Sequence, residues 1–152
     1  MNQLRAYCIL KGSNQFKYLK GLVLFYEVDN CILVKISISG YSVSSSKCNQ
    51  PILGIHIHEG GLCTGSLENP FENALGHYNP NRCNHPYHAG DLGNLFVNMD
   101  GSAYKSMKID CFEINDVLGK AILLHENSDD FRSQPAGDSG KRIACGIVKK
   151  MK

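Results

Sequence analysis

Apolar residues recur at period two through the first third of the chain. In the run Cys31 to Ile38, residues Ile32, Val34, Ile36 and Ile38 fall on alternate positions. Side chains two apart share one face of a strand, so this run predicts a strand with one buried face. Leu22 to Val28 is apolar, β-branched or aromatic, and only Asp29-Asn30 separates it from the next run. Two such runs joined by a short polar turn predict a hairpin. Arg5 to Lys11 alternates more loosely and ends at the turn signal Gly12-Ser13-Asn14. Ser39 to Gln50, rich in Ser and Gly, predicts a loop.

The pattern changes after Pro51. Pro51 to His58 predicts another strand. From Glu59 to Asp91 the chain is dominated by Gly, Asn, Pro, Cys and His, with little periodicity. A long stretch of this kind inside a compact domain is usually functional or disordered, and its histidines favour function. Leu95 to Asn98 and Ala103 to Met107 flank Asp100-Gly101, a second hairpin signal. Val117 to His125 predicts a strand, with room for a short helix near Asp116. Glu126 to Lys141 is a second polar loop, and Ile143 to Val148 a final strand. No repeat, low-complexity tract or sustained helical period interrupts this. The prediction is an all-β fold of seven or eight strands in a sandwich or flattened barrel.

Composition narrows the class. A chain of 152 residues fits a single domain over residues 1–152 and is long enough to bury a core. Apolar residues at 43% and charged residues at 20% are ordinary for a soluble globular protein. The net charge of +2, without a dense basic run, gives nucleic-acid binding no electrostatic support. No apolar run is long enough to cross a bilayer as a helix, so no membrane partner is expected. The start Met1-Asn2-Gln3-Leu4-Arg5 lacks a secretory apolar core, which sets a cytoplasmic expectation. In that compartment most of the seven cysteines would stay reduced. No Cys-x-x-Cys pair points to a cysteine zinc knuckle.

The candidate chemistry lies in the six histidines. His56 and His58 sit two apart in a strand, which lets a rigid element present two imidazoles on one face. Alone, such a pair also suits a solvated strand face. His77, His85, His88 and Asp91 fall in the long loop, and three imidazoles with a carboxylate suit tetrahedral zinc. His125 ends the apolar run Ala121 to Leu124, where a lone histidine is equally an ordinary strand-end residue. Seven such groups together are harder to read as accident than any one of them.

Several segments, in order, resemble the copper/zinc superoxide dismutase family. They are Gly54 to Glu59, Gly76-His77-Tyr78-Asn79-Pro80, His88 to Leu95, Gly119 to Glu126, and Gly140 to Val148, with Arg5 to Gly12 similar to the family's first strand. His85-Pro86-Tyr87-His88 and Asp129 to Pro135 resemble a bacterial branch more than the animal one. The resemblance implies a Greek-key β-sandwich or flattened barrel of about eight strands with two long functional loops. It implies copper on His56, His58, His77 and His125, zinc on His77, His85, His88 and Asp91, and His77 as the bridge. It further implies that Asp129 links a copper and a zinc histidine, that Arg142 stands beside the open copper position, and that Cys63 and Cys145 form a disulfide.

The implied activity converts superoxide anion to O₂ and H₂O₂ by redox cycling of copper, with His77 carrying a proton and Arg142 attracting the anion. A metal-binding module without catalysis is the rival. It would be expected to lack a copper ligand or the arginine, and this sequence keeps both. The family dimerises through different surfaces in different branches, and no exposed stripe here decides between them, so a homodimer is possible and the oligomeric state stays open. Two departures mark the zinc loop. The interval from His85 to His88 is much shorter than in the animal branch, and that from His58 to His77 is longer. Cys83, beside His85, stands as bystander, disulfide partner or rival zinc ligand.

Overall fold

Eight strands make one continuous antiparallel sheet in the computed structural model, which describes residues 2–44 and 48–152. They are β1 (Gln3–Gly12), β2 (Lys20–Val28), β3 (Cys31–Ser39), β4 (Ile52–Ile57), β5 (Asp91–Phe96), β6 (Ala103–Ile109), β7 (Ala121–His125) and β8 (Arg142–Lys150). Their order across the sheet is β5-β4-β7-β8-β1-β2-β3-β6. Strands distant in sequence thus lie side by side, as in a Greek key, and the sheet curls into a nearly closed barrel. Residues 45–47 of the expected Ser39–Gln50 loop lie outside the described residues.

The period-two pattern is the one the barrel uses. Ile32, Val34, Ile36 and Ile38 of β3 all face the core, and β3 pairs with β2 across the Asp29-Asn30 turn. Phe25 and Val23 of β2, with Ala6, Cys8 and Leu10 of β1, meet them inside. Burying such side chains contributes roughly 1.5–3 kcal/mol each.

The second predicted hairpin does not form. A tight turn does form at Asp100-Gly101, where Asn98 N–H donates to Ser102 O and Gly101 N–H to Asn98 O. The strands on either side do not pair with each other. β5 pairs with β4, β6 pairs with β3, and the two are the free edges of the sheet. They approach across the seam without a ladder. The Val117–His125 strand is also shorter than expected. A single turn of helix, α1 (Ile114–Val117), precedes it, started by reciprocal capping between Glu113 and Asp116.

β4 and β7 are buried on both faces, unlike β3. Leu53, Ile55 and Ile57 of β4 and Ile122 and Leu124 of β7 point into the barrel. The outward Ala121 and Leu123 are covered by Phe71 and Ala74 of the long loop and by Cys145 of β8, a second small core. The loop therefore lies against the outside of the barrel, over the face that carries His56.

Candidate metal centre

Strand geometry sets the first histidines. His56 lies opposite Leu123 on the outward face of β4, between the inward Ile55 and Ile57. His58 follows the end of β4 and bridges to His77, which brings the start of Gly76 to Pro80 against the strand. Ile57 O accepts from Tyr78 N–H, and Ile57 N–H donates to Gly90 O, so the loop is sewn to the strand at the residue between His56 and His58. His125 ends β7, at a bulge where its neighbour on β8 is Arg142.

These side chains converge in two groups. One ligand atom from each of His56, His58, His77 and His125 lies within 4.8 Å of the others. The same is true of His77, His85, His88 and Asp91, so His77 belongs to both groups. The rings of His56 and His77 stack at 3.9 Å. Asp91 opens β5, and its carboxylate accepts from His77 Nδ1 at 2.8 Å. It also lies 3.0 Å from His85 Nδ1 and 3.4 Å from His88 Nδ1.

The ring nitrogens are of two kinds. His58 Nδ1–H donates to Leu75 O, His125 Nδ1–H to Gly140 O, and His56 Nε2–H to Asp129 Oδ2. The opposite nitrogens, His56 Nδ1, His58 Nε2 and His125 Nε2, are buried and make no hydrogen bond among the described residues; nor does His77 Nε2, nor His85 Nδ1, which lies against the Asp91 carboxylate without bonding geometry. Buried polar atoms are nearly always satisfied. Unpartnered imidazole nitrogens that converge while their opposite nitrogens are tied down match the usual surroundings of metal ligands. The donor set suits copper and zinc: imidazoles serve both, and three imidazoles with a carboxylate make a zinc set.

Asp129 joins the two groups. Its Oδ2 accepts from His56 Nε2 at 2.7 Å and its Oδ1 from His85 Nε2 at 2.8 Å. Burial opposes its ionisation, but hydrogen bonds from His56, the Phe131 amide and His85 outweigh this and hold its carboxyl well below the usual range. Gly137, at φ 71°, passes directly over this contact, and a side chain there would collide with Asp129 Oδ1 and His85 Nε2. Burial works the other way on the histidines. It lowers His56, and it takes His58 well below its ordinary value. His125 is lowered to about 3. Neutral rings are the form that binds a metal.

Arg142 holds the lip of this site. Its guanidinium donates to Phe71 O at 2.7 Å and to Leu75 O. Leu75 sits at φ 64°, in the left-handed region, and its carbonyl also accepts from His58. One strained carbonyl thus serves the arginine and a histidine. Cys63 and Cys145 form a disulfide that pins the long loop to β8. Cys83 is unbonded and exposed, and its backbone is clamped by the Asn79 amide. It is not among the converging atoms of the His77, His85, His88 and Asp91 group.

Sequence reasoning assigned no role to several residues that hold the site. The Gln134 side chain makes two bonds to the backbone of His85, joining the two long loops. Asn94 makes two bonds to the backbone of Asp129. Asn94 lies within a recognisable segment, His88 to Leu95, which was the available signal. Gln134 lies within another, Asp129 to Pro135, but its partner is 49 residues away, so the segment did not name the contact.

Fold and donor set together define a copper- and zinc-binding β-barrel. The family model for copper/zinc superoxide dismutase matches residues 19–148, and the chain belongs to that family. It is 32% identical over 162 residues to superoxide dismutase [Cu-Zn] 5 of Dictyostelium discoideum, covering 95% of this chain and 97% of that one. It is 33% identical over 107 residues to the human copper chaperone for superoxide dismutase, covering 62% of this chain and 38% of that one. Among solved structures it is similar to the clock protein EA4, with a TM-score of 0.79 and 25% identity over 97% of this chain and 94% of that one.

Proposed function

We propose that this protein is a superoxide dismutase, an oxidoreductase that disproportionates superoxide anion to O₂ and H₂O₂. The observation that carries the reading is His77, the one residue common to both converging groups. We assign His56, His58, His77 and His125 to copper, and His77, His85, His88 and Asp91 to zinc. Copper, when bound, supplies the one-electron redox couple, and zinc supplies a fixed charge beside the shared imidazole.

The residues of the chain do the rest. His77 holds a proton at Nε2, the nitrogen turned away from Asp91 and His88, and gives it up to the reduced product, whose second proton comes from water. Asp91 orients its Nδ1 side. Asp129 fixes His56 and His85 with one carboxylate, so the two groups keep their spacing. Arg142 is half-buried, and its charge reaches both His58 and His125. There it attracts and orients a small anion, while the exposed Lys141 adds to the field.

Superoxide turnover by protein loaded with copper and zinc tests the reading. Turnover should be fast and should fall as ionic strength rises. Arg142→Gln should slow it by about tenfold or more and flatten the salt dependence. Stoichiometric copper without turnover would overturn the reading and leave a metal-binding protein without this activity.

A further inference from the structure

The barrel's seam raises a question that the histidines do not answer. β5 carries Asp91 at its start and Asn94 three residues on, yet among the described residues its outer edge has no partner strand. An edge strand presents unpaired carbonyls, here beside a residue of the converging His77, His85, His88 and Asp91 group.

A lysine occupies the gap. Along β6, Ala103, Lys105, Met107 and Ile109 alternate with the exposed Tyr104, Ser106 and Lys108. Lys105 is therefore on the inward side of its strand, where its neighbours are apolar. Its cross-strand partner is the fully buried Ile36. A charge at such a position is costly unless it is hydrogen-bonded. The ammonium reaches over the seam and donates to Leu92 O at 2.7 Å and to Asn94 O at 3.3 Å. Carbonyls two apart on a strand point the same way, so one cation takes the place of the missing ladder bonds. Gly93, between them at φ 82°, leaves the room: a side chain there would meet Lys105 Nζ at 2.9 Å. Burial also lowers the lysine's pKa, as expected for an ammonium drawn out of water.

The gripped segment leads straight to the metal centre. Leu92 adjoins Asp91, whose carboxylate meets His77, His85 and His88. Asn94 Oδ1 accepts from Asp129 N–H at 2.7 Å, and its Nδ2–H donates to Asp129 O at 3.0 Å. Asp129 in turn holds His56 and His85.

We propose that Lys105 is a positioning residue for the metal centre: its ammonium latches β5 to β6 across the open seam and so fixes Asp91 and the Asn94–Asp129 clip. The inference rests on zinc binding at His77, His85, His88 and Asp91, and it does not require catalysis. The simpler role for an inward edge lysine is to prevent edge-to-edge association, and that role leaves the metal untouched.

Lys105→Met keeps the stem and removes the donor. Zinc affinity, measured by chelator competition well below the melting temperature, should weaken by about tenfold, the scale of a lost outer partner. Cobalt placed in the zinc site should show a shifted visible spectrum. Lys105→Arg, which can donate to both carbonyls, should restore both readings. Wild-type zinc affinity and cobalt spectrum in the folded Met variant would overturn the proposal, even with a lowered melting temperature. If wild-type protein binds no zinc, the metal-centre reading falls and this inference with it. A second measurement does not depend on the variant folding. In zinc-loaded wild-type protein, the Lys105 Nζ resonance should exchange slowly with water and show coupling through the hydrogen bonds to the Leu92 and Asn94 carbonyl carbons. An ammonium exchanging as freely as a surface lysine would overturn the latch.

Discussion

Burial decides the protonation of the histidines that we assign to copper. Desolvation, and then the neighbouring His56, lowers His125 from 6.5 to about 3, and His58 and His56 move the same way. The unfolded chain takes up these protons near pH 6.5, whereas folded His125 resists protonation until about pH 3. Across that window the unfolded state binds more protons, so lowering the pH favours unfolding. The metal-free protein should therefore hold its full histidine contribution above about pH 6.5 and lose it progressively toward about pH 3. Asp129 is a carboxylate lowered from 3.8, so its contribution is lost only at more acid pH. Urea midpoints of metal-free protein over this range check the sign. Midpoints that stay flat as the pH falls would mean that the imidazoles are not held neutral by burial.

At the scale of elements, the loops are fastened to the barrel at few points, and each can be cut separately. The Cys63–Cys145 disulfide spans 82 residues of sequence and joins the long loop to β8. In the chain-entropy account, closing a loop of this size stabilises the fold by about 4–5 kcal/mol. Reducing it, or replacing Cys63 with Ser, should lower the urea midpoint of metal-free protein. It should also loosen Phe71 and Ala74, which pack against Leu123 and Cys145. Hydrogen exchange in the long loop reads this directly. Protection unchanged on reduction would show that Arg142 and the loop's bonds to β4 suffice alone. Gln134 is a comparable fastening between the two loops, and Asp129 is the point where both loops meet the strand histidine His56.

For the whole molecule, folding and metal binding are linked, because both groups draw residues from distant parts of the chain. Zinc at a thousandfold excess over its dissociation constant should stabilise the folded protein by about 4 kcal/mol. Calorimetry with and without zinc tests this, and a melting temperature unmoved by zinc would break the linkage. Much of this molecule was legible beforehand. The alternation of Ile32, Val34, Ile36 and Ile38 reports a strand with one buried face, because a pleat has period two. The Asp29-Asn30 turn reports its hairpin because the pairing is local. His56 and His58 on their strand, the histidine-rich loop and the motif around His125 named the candidate ligands, because residue type and short spacing are local properties. The Asp100-Gly101 turn marked where the chain reverses but not which strands pair across the sheet. β5 joins β4 and β6 joins β3 because the curl of the whole barrel sets those neighbours. The same closure made the outer face of β4 and β7 a buried one, brought His77 into both groups, and set Lys105 against carbonyls on the opposite edge. Sequence alone determined the strands and the chemical kinds of the ligands. The tertiary structure decided their convergence, because distances between residues far apart in the chain exist only once the sheet has closed around its core.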